Sequence, residues 1–247
     1  MQFSTSFYRG AAIASVLSAL TTLGLIFLPR LYQPVPDFDA RMALGTNAAY
    51  LLRSWIYLAH PFLVFAAALA VAARCRFRAS GAATLGLAGF ALWAATEAAQ
   101  QALTKVALDR TWRAAWPAAD AAARDLIRDQ VAFYDVVWDA MYLLLLIAFL
   151  AGNLFLGAAV AQTARGESNT SARSGALVMW VAGVLWAAAA LTFVLLVREL
   201  GGPALPGTEW LYPLIQPAGR TLIGVWLWRE AAFEAKRTNS SYADASS

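Results

Sequence analysis

Four groups of polar and ionisable residues recur at helical spacing inside apolar stretches of the sequence. In the first group, Tyr50, Arg53, Tyr57 and His60 follow one another at intervals of three and four residues, which places them on one face of a helix. The other three groups have similar spacing: Trp93, Glu97 and Gln101; Asp135, Asp139 and Tyr142; Tyr212, Gln216 and Arg220. Because an ionisable group in hydrocarbon is costly unless it is paired or hydrated, these groups indicate a functional site.

The residue types in these groups are suited to acid/base chemistry. We predict Glu97, His60 and Asp139 as the catalytic residues, since carboxyl and imidazole groups donate and accept protons in enzymes. The residues that we predict to bind a ligand are Arg220, Gln216, Arg53, Tyr57, Tyr142, Gln101, Trp93 and Asp135. The same pattern is also typical of a structural network that fixes the register of membrane helices, with Arg220 and Arg53 pairing the acids. The sequence favours neither alternative.

The composition is that of a membrane protein. Of 247 residues, 60% are apolar and 14% are charged, whereas a soluble domain carries about a quarter charged residues. This composition excludes a disordered chain and a disulfide-rich secreted scaffold. The net charge of +4 is small and scattered along the chain, which excludes a nucleic-acid binder.

The chain offers few side chains that ligate metals. It has one cysteine, Cys75, and one histidine, His60. Zinc sites built from Cys and His, multi-histidine di-iron centres and a haem with two histidine ligands are therefore excluded. A haem with His60 as its single axial ligand is compatible with the count, but no motif supports it, and we expect neither a metal nor a cofactor.

Six apolar stretches are long enough to cross a bilayer core of about 30 Å as helices. They are residues 10–28, 54–73, 81–103, 134–161, 175–197 and 210–228. We predict an all-α polytopic membrane bundle of six transmembrane helices, with one domain over residues 1–235 and a flexible polar tail over 236–247. A straight helix from Ala118 to Ala161 would measure about 66 Å, so the fourth helix must bend or project from the membrane.

The loops suggest an orientation. Lys and Arg are equally numerous on the two sides, but the side that holds both termini has the shorter loops and fewer acidic residues, which predicts cytoplasmic termini. All four polar groups then lie in the outer half of the membrane, while the inner half has few strongly polar residues besides Asn153. Pro61 and Pro217 adjoin this polar layer and free backbone carbonyls, which favours a cavity there.

With these features the chain resembles a six-helix family of bacterial integral membrane proteins of unknown function. The resemblance rests on the helix order, the long first outer loop, the segment 90–97 that ends at Glu97, and the closing segment 213–227. The segment 112–129 departs from the family pattern. The resemblance implies an architecture and no activity, and with it we expect a multi-pass protein of the bacterial cytoplasmic (inner) membrane.

Three functions are compatible with the sequence, which leaves open whether the protein is an enzyme. The first is a pocket open to the outer leaflet that binds or modifies a small apolar molecule, of lipid or isoprenoid type, by acid/base chemistry. The second is a non-enzymatic accessory subunit that docks a protein partner through residues 104–133. It predicts an exposed apolar or aromatic patch on the segment 112–129, and polar helix faces that pair fully and leave no cavity. The third, a small-molecule transporter, needs polar groups in both halves of the membrane. Membrane lipids are expected partners in every case.

Overall fold

A computed structural model describes residues 3–166 and 172–245, and this part of the chain contains helices and no strand. Its α-helices, in chain order, are α1 (Thr5–Phe27), α2 (Phe38–Ala43), α3 (Ala48–Cys75), α4 (Ser80–Leu103), α5 (Arg113–Ala115), α6 (Ala121–Gly166), α7 (Ala172–Glu199) and α8 (Thr208–Ala245). A π-helical segment, Thr104–Trp112, joins α4 to α5. The all-α prediction is confirmed for the described residues.

Five helical segments are long and apolar enough to cross a membrane. They are Thr5–Leu31, Ala48–Cys75, Ser80–Ala118, Ala121–Arg165 and Gly175–Glu199. They contain the first five predicted spans, so the chain has the architecture of a multi-pass membrane protein. Helix α8 contains the sixth predicted stretch but is more polar than the other five segments, and its role as a span stays a prediction.

The predictions of a domain boundary at residue 235 and of a mobile tail after it concern the last part of the chain. The backbone of α8 is helical to Ala245 and so continues into the segment from residue 236 that the sequence predicts to be a mobile tail. Neither the predicted mobility nor the domain boundary at residue 235 is tested. Residues 1, 2, 246 and 247, which belong to the predicted domain and tail, lie outside the described residues.

The six long helices form a closed ring. Each packs on the next in chain order, α1 on α3, α3 on α4, α4 on α6, α6 on α7 and α7 on α8, and α8 closes the ring by packing along α1. Contacts across the ring, between α3 and α6 or α8, are sparser. Side chains that point inward from different helices therefore meet in the middle of the ring.

Glycines bring two pairs of helices into close contact. A Cβ atom on Gly89 of α4 would lie 2.5 Å from the backbone nitrogen of Gly152 on α6, and one on Gly224 of α8 would lie 2.8 Å from Val16 Cγ2 on α1. Such distances leave no room for a side chain, so the backbones touch. The Ala- and Gly-rich run 81–95 thus packs within the chain.

The two ends of the ring differ. We call the end formed by residues 28–47, 104–120 and 200–207 the long-loop end, and the end near the chain termini and residues 76–79 the terminal end. The half of the ring towards the terminal end is filled with apolar side chains, of which Val71, Leu156, Val160 and Leu227 are at most 1% exposed. A cavity of only about 40 Å³ is lined by Val71 and Leu156, and the larger cavities inside the ring lie towards the long-loop end.

A second, smaller core covers the long-loop end. It consists of Met42, Leu108, Trp116, Ile127, Val131 and Tyr134, which come from the two long connections and the first turns of α6. Trp116 is only 6% exposed, and its indole Nε1 donates to Asp39 Oδ1 over 2.8 Å. Trp116 therefore stabilises the junction between the connections and does not contribute to an exposed aromatic patch.

Candidate functional site

A cavity of about 230 Å³ lies in the middle of the ring, between α1, α3, α4, α6 and α8. We call it the central cavity. Most of the site residues predicted from the sequence line it: His60, Tyr57, Trp93, Glu97, Gln101, Tyr142, Gln216 and Arg220. Four polar helix faces that are far apart in the sequence thus converge on one space.

Arg220 is fixed in this cavity by neutral groups. Its Nη1 donates to His60 Nε2 over 2.6 Å, to the Ser18 carbonyl over 3.2 Å and to the Thr22 hydroxyl. Because a guanidinium can only donate, Nε2 of His60 must accept, and the proton on Nδ1 is donated to Thr21 Oγ1 over 2.7 Å. Both ring nitrogens of His60 are therefore engaged, and His60 holds Arg220 in place.

Helix α1 contributes polar groups to the site that were not predicted from the sequence. Ser15, Ser18 and Thr22 are buried, and the Ser15 hydroxyl donates to the Arg220 carbonyl over 2.6 Å. These three residues recur at intervals of three and four, so a weak polar face was present in the first span. Serine and threonine are common in membrane helices, and for that reason the face did not stand out.

Glu97 contrasts with Arg220. It is only 6% exposed and lines the central cavity, yet among the described residues no hydrogen bond and no ion pair within 4.0 Å reaches its carboxyl group. The direct pairing of Arg220 with an acid that the sequence suggested does not occur, because α1 and His60 supply the partners of Arg220. Glu97 is thus a buried carboxyl group that faces a cavity.

Two further groups in the cavity have unused hydrogen-bonding capacity. The side-chain nitrogen Nε2 of Gln216 is buried and has no partner among the described residues. Within the same part of the chain, Arg220 uses only Nη1, which leaves Nε and Nη2 without hydrogen bonds. Buried polar groups are nearly always hydrogen-bonded, so the unpaired Nε2 of Gln216 is unusual. Together with the unused nitrogens of Arg220, it can donate to a molecule that enters the cavity.

The walls of the central cavity are aromatic and aliphatic. The His60 ring stands edge-on to the Trp93 ring, and the two ring centroids are 6.1 Å apart. The ring centroids of Trp93 and Phe149 are 5.5 Å apart. Leu25 and Ile26 of α1 add aliphatic surface. A few convergent polar groups within apolar walls are typical of small-molecule sites.

A second cavity, of about 550 Å³, adjoins the first at the long-loop end. We call it the vestibule. Tyr57, Gln101 and Trp138 line both cavities and form the wall between them. The vestibule also holds the predicted site residues Arg53, Asp135 and Asp139. Asp139 is therefore separated from Glu97 and His60, and the three predicted catalytic residues do not share one cavity.

Ion pairs from distant segments build the vestibule wall. Arg41 donates to both carboxyl oxygens of Asp135, over 2.8 and 2.6 Å. These hydrogen bonds to Asp135 raise the pKa of Arg41, whereas its partial burial lowers the pKa by less. The pKa of Arg41 is therefore raised overall. Asp135, predicted to bind a ligand, is thus engaged by a residue of the first long connection that sequence spacing could not identify.

A second ionic cluster lies beside the first. Asp109, in the π-helical segment, accepts from Arg113 over 2.6 Å, from Lys105 over 2.8 Å and from the Tyr50 hydroxyl over 3.2 Å. The other guanidinium nitrogens of Arg113 donate to the Arg41 carbonyl. The cluster therefore joins α3 and the π-helical segment to the connection that carries Arg41.

No model of a protein family, no curated protein and no solved structure matches this chain. The resemblance to a six-helix bacterial membrane family accordingly stays a prediction.

Proposed function

We propose that the protein binds, in its central cavity, a small and largely apolar molecule of lipid or isoprenoid type that carries one polar group. The observation behind this proposal is that Glu97, Gln216 and Arg220 line one cavity and retain unused hydrogen-bonding groups. A purely structural network would be expected to satisfy them internally. A ligand with a polar group at this position would complete the network, and its apolar part would contact the aromatic walls.

Glu97 is the residue that we propose for acid/base chemistry on such a ligand. Its carboxyl group has no competing partner among the described residues, so a ligand can approach it directly. Arg220 and Gln216 would orient the polar group of the ligand, and His60 would act as a positioning residue for Arg220. Asp139 would contact a ligand only while the ligand passes through the vestibule towards the central cavity.

We further propose that α8 is a sixth transmembrane helix and that both termini are cytoplasmic, in the inner membrane of a bacterium. Helix α8 packs along α1 and α7 and forms one wall of the ring. If α8 lay outside the membrane, the faces of α1 and α7 that it covers would lose this contact. Two strongly polar residues of its predicted span, Gln216 and Arg220, line the central cavity, which favours a position of their side chains away from lipid.

The two alternative functions have weaker support. A transporter needs a path through the terminal half of the ring, which is filled by buried apolar side chains in this conformation. An accessory subunit would use the exposed apolar residues Leu126, Phe133 and Val136 of α6, of which Phe133 is 71% exposed. This surface favours the accessory subunit as the second candidate.

The central test is to compare the wild type with Glu97→Gln by native mass spectrometry and lipid extraction of the purified protein. We expect one defined small molecule to remain bound to the wild type and to be lost from Glu97→Gln, because the amide cannot reproduce the hydrogen bonding or the charge of the carboxyl group. Asp125→Asn is the matched control, since it makes the same change at an exposed position on α6 and should leave the ligand bound.

The thermal stability of both variants should be measured alongside. If no ligand is present in the wild type and Glu97→Gln unfolds at a lower temperature, the polar layer is structural and the proposed pocket is refuted.

A further inference from the structure

The vestibule contains a cation, Arg53, that forms no ion pair within the described part of the chain. Arg53 donates from Nη2 to the Tyr57 hydroxyl over 3.2 Å, and its guanidinium lies 4.7 Å from the centre of the Tyr57 ring. Its Nε is buried and has no hydrogen-bond partner among the described residues. Arg53 is thus held by an aromatic ring, while part of its donor capacity is unused.

The vestibule also contains an anion without a counter-charge. Asp139 lies on α6, lines the same cavity and is exposed. Among the described residues, no hydrogen bond reaches its carboxyl group and no cation lies within 4.0 Å of it. Arg53 and Asp139 therefore face one cavity without forming an ion pair with each other.

The other charged residues of the vestibule are already paired. Arg41 is bound by Asp135 in a bidentate ion pair, and Arg113 is bound by Asp109. Among the described residues, a ligand that enters the vestibule therefore meets one cationic group and one anionic group that form no ion pair.

Two features complete the site. The hydroxyl of Tyr32 is buried in the same cavity and has no partner among the described residues, so it can donate to an anion that contacts Arg53. The rings of Tyr134 and Trp138 line the wall beside Asp139, and aromatic faces attract ammonium groups. Donors for an anion and acceptors for a cation are thus present in one space.

We propose that the vestibule is a second binding site, specific for a zwitterion whose anionic group contacts Arg53 and Tyr32 and whose ammonium group contacts Asp139. Phosphoethanolamine has this chemistry, either as the headgroup of a phospholipid or as a free molecule. The proposal is independent of the ligand in the central cavity, because Glu97 and Arg220 take no part in it. A negative result in the vestibule would leave the central cavity unaffected.

The first experiment compares phosphoethanolamine with its two halves, inorganic phosphate and ethanolamine, by calorimetric titration of the detergent-purified protein. The zwitterion should bind at least about tenfold more tightly than either half, because only the zwitterion satisfies both charges. Arg53→Gln and Asp139→Asn should each weaken its binding by about tenfold or more. Equal affinities for phosphate and phosphoethanolamine, or binding that neither substitution changes, would refute the site.

Matched controls separate binding from folding. Arg110→Gln and Asp125→Asn make the same chemical changes at exposed positions outside the vestibule and should leave the affinity unchanged. Arg53→Lys and Asp139→Glu keep the charges and should retain most of the affinity. If these conservative variants lose binding as completely as Arg53→Gln and Asp139→Asn while remaining folded in thermal unfolding, charge recognition is refuted.

A second experiment identifies the source of the zwitterion. The protein is reconstituted into nanodiscs of phosphatidylethanolamine or of phosphatidylglycerol. It is then released from the nanodiscs, and native mass spectrometry identifies the lipid that stays bound to it. Selective retention of phosphatidylethanolamine by the wild type, with loss in both Arg53→Gln and Asp139→Asn, supports the lipid headgroup. Binding of free phosphoethanolamine without such retention supports a soluble ligand. Absence of both overturns the proposal.

Discussion

Arg220 is a buried cation that has no carboxylate in direct contact among the residues the structure describes. A charge in a low-dielectric site is costly unless it is well hydrogen-bonded, and here the acceptors are a histidine nitrogen, a backbone carbonyl and a threonine hydroxyl. This arrangement holds one edge of the guanidinium against α1 and α3. The remaining nitrogens and Glu97 are available to a ligand, which supports the proposed binding function.

His60→Phe tests the positioning role of the histidine. Phenylalanine keeps a ring that can pack on Trp93 but removes the acceptor for Arg220 and the donor for Thr21. We expect the free energy of unfolding to fall by about 1–3 kcal/mol, the cost of leaving buried polar groups unsatisfied. Thermal or detergent-induced unfolding of the purified variant measures this change.

His60→Gln is the companion variant, because its amide can still accept from Arg220, and it should be the more stable of the two. A His60→Phe protein as stable as the wild type would show that the network around Arg220 contributes nothing to folding.

Helices α4 and α6 are central to the site because each of them lines both cavities. Helix α4 positions Glu97 and Gln101, and α6 positions Trp138 and Asp139. Their spacing is set by the contact of Gly89 with the backbone of α6 at Gly152. The width of the central cavity therefore depends on a glycine that does not line it.

Gly89→Ala tests this contact. The added Cβ would lie 2.5 Å from the Gly152 nitrogen and 3.0 Å from the Ala148 carbonyl oxygen, and because these are backbone atoms the two helices must separate. We expect a loss of about 1–3 kcal/mol in the free energy of unfolding, as for other overpacked contacts. Differential scanning fluorimetry provides the measurement.

Gly183→Ala on α7 is the matched control, since nothing lies within 4 Å of its added Cβ. Replacing a helical glycine by alanine there should be neutral or stabilising by up to about 1 kcal/mol. If the two substitutions have equal effects, the α4–α6 contact does not set the packing.

The molecule as a whole is a ring of helices whose interior is largely apolar and closely packed towards the terminal end, with its larger internal cavities towards the long-loop end. The connections 28–47 and 104–120 pack on each other through their own small core and cover part of the hollow end. The vestibule lies between this cover and the central cavity. A ligand would therefore enter from the long-loop end or through the side of the ring at that level.

The proposed topology is tested by labelling single cysteines in a Cys75→Ala background. Leu205 and Phe77 are exposed at opposite ends of the ring. In intact bacterial cells, a membrane-impermeant maleimide should label Leu205→Cys, whereas Phe77→Cys should react only after lysis. The reverse result would invert the proposed orientation.

A fusion to the C-terminus reports whether α8 crosses the membrane. If it does, a fused alkaline phosphatase should be inactive, because that enzyme folds only outside the cytoplasm, and a fused fluorescent protein should be bright. Active phosphatase together with external labelling of Leu205→Cys would mean that only five helices cross.

The membrane class, the positions of the long helices and most of the polar residues of the central cavity could be predicted from the sequence, although the contribution of α1 could not. The predictable features follow from local properties: apolar length indicates a helix that can cross the membrane, and the helical period places Glu97 with Gln101 and Gln216 with Arg220 on single faces. How those faces pair is a property of the folded structure alone. It joined Arg220 to His60 and α1, bound Asp135 to Arg41, and placed Asp139 in the vestibule away from Glu97. Such contacts depend on how each helix is rotated and which helix it packs against, and no spacing within one helix contains that information.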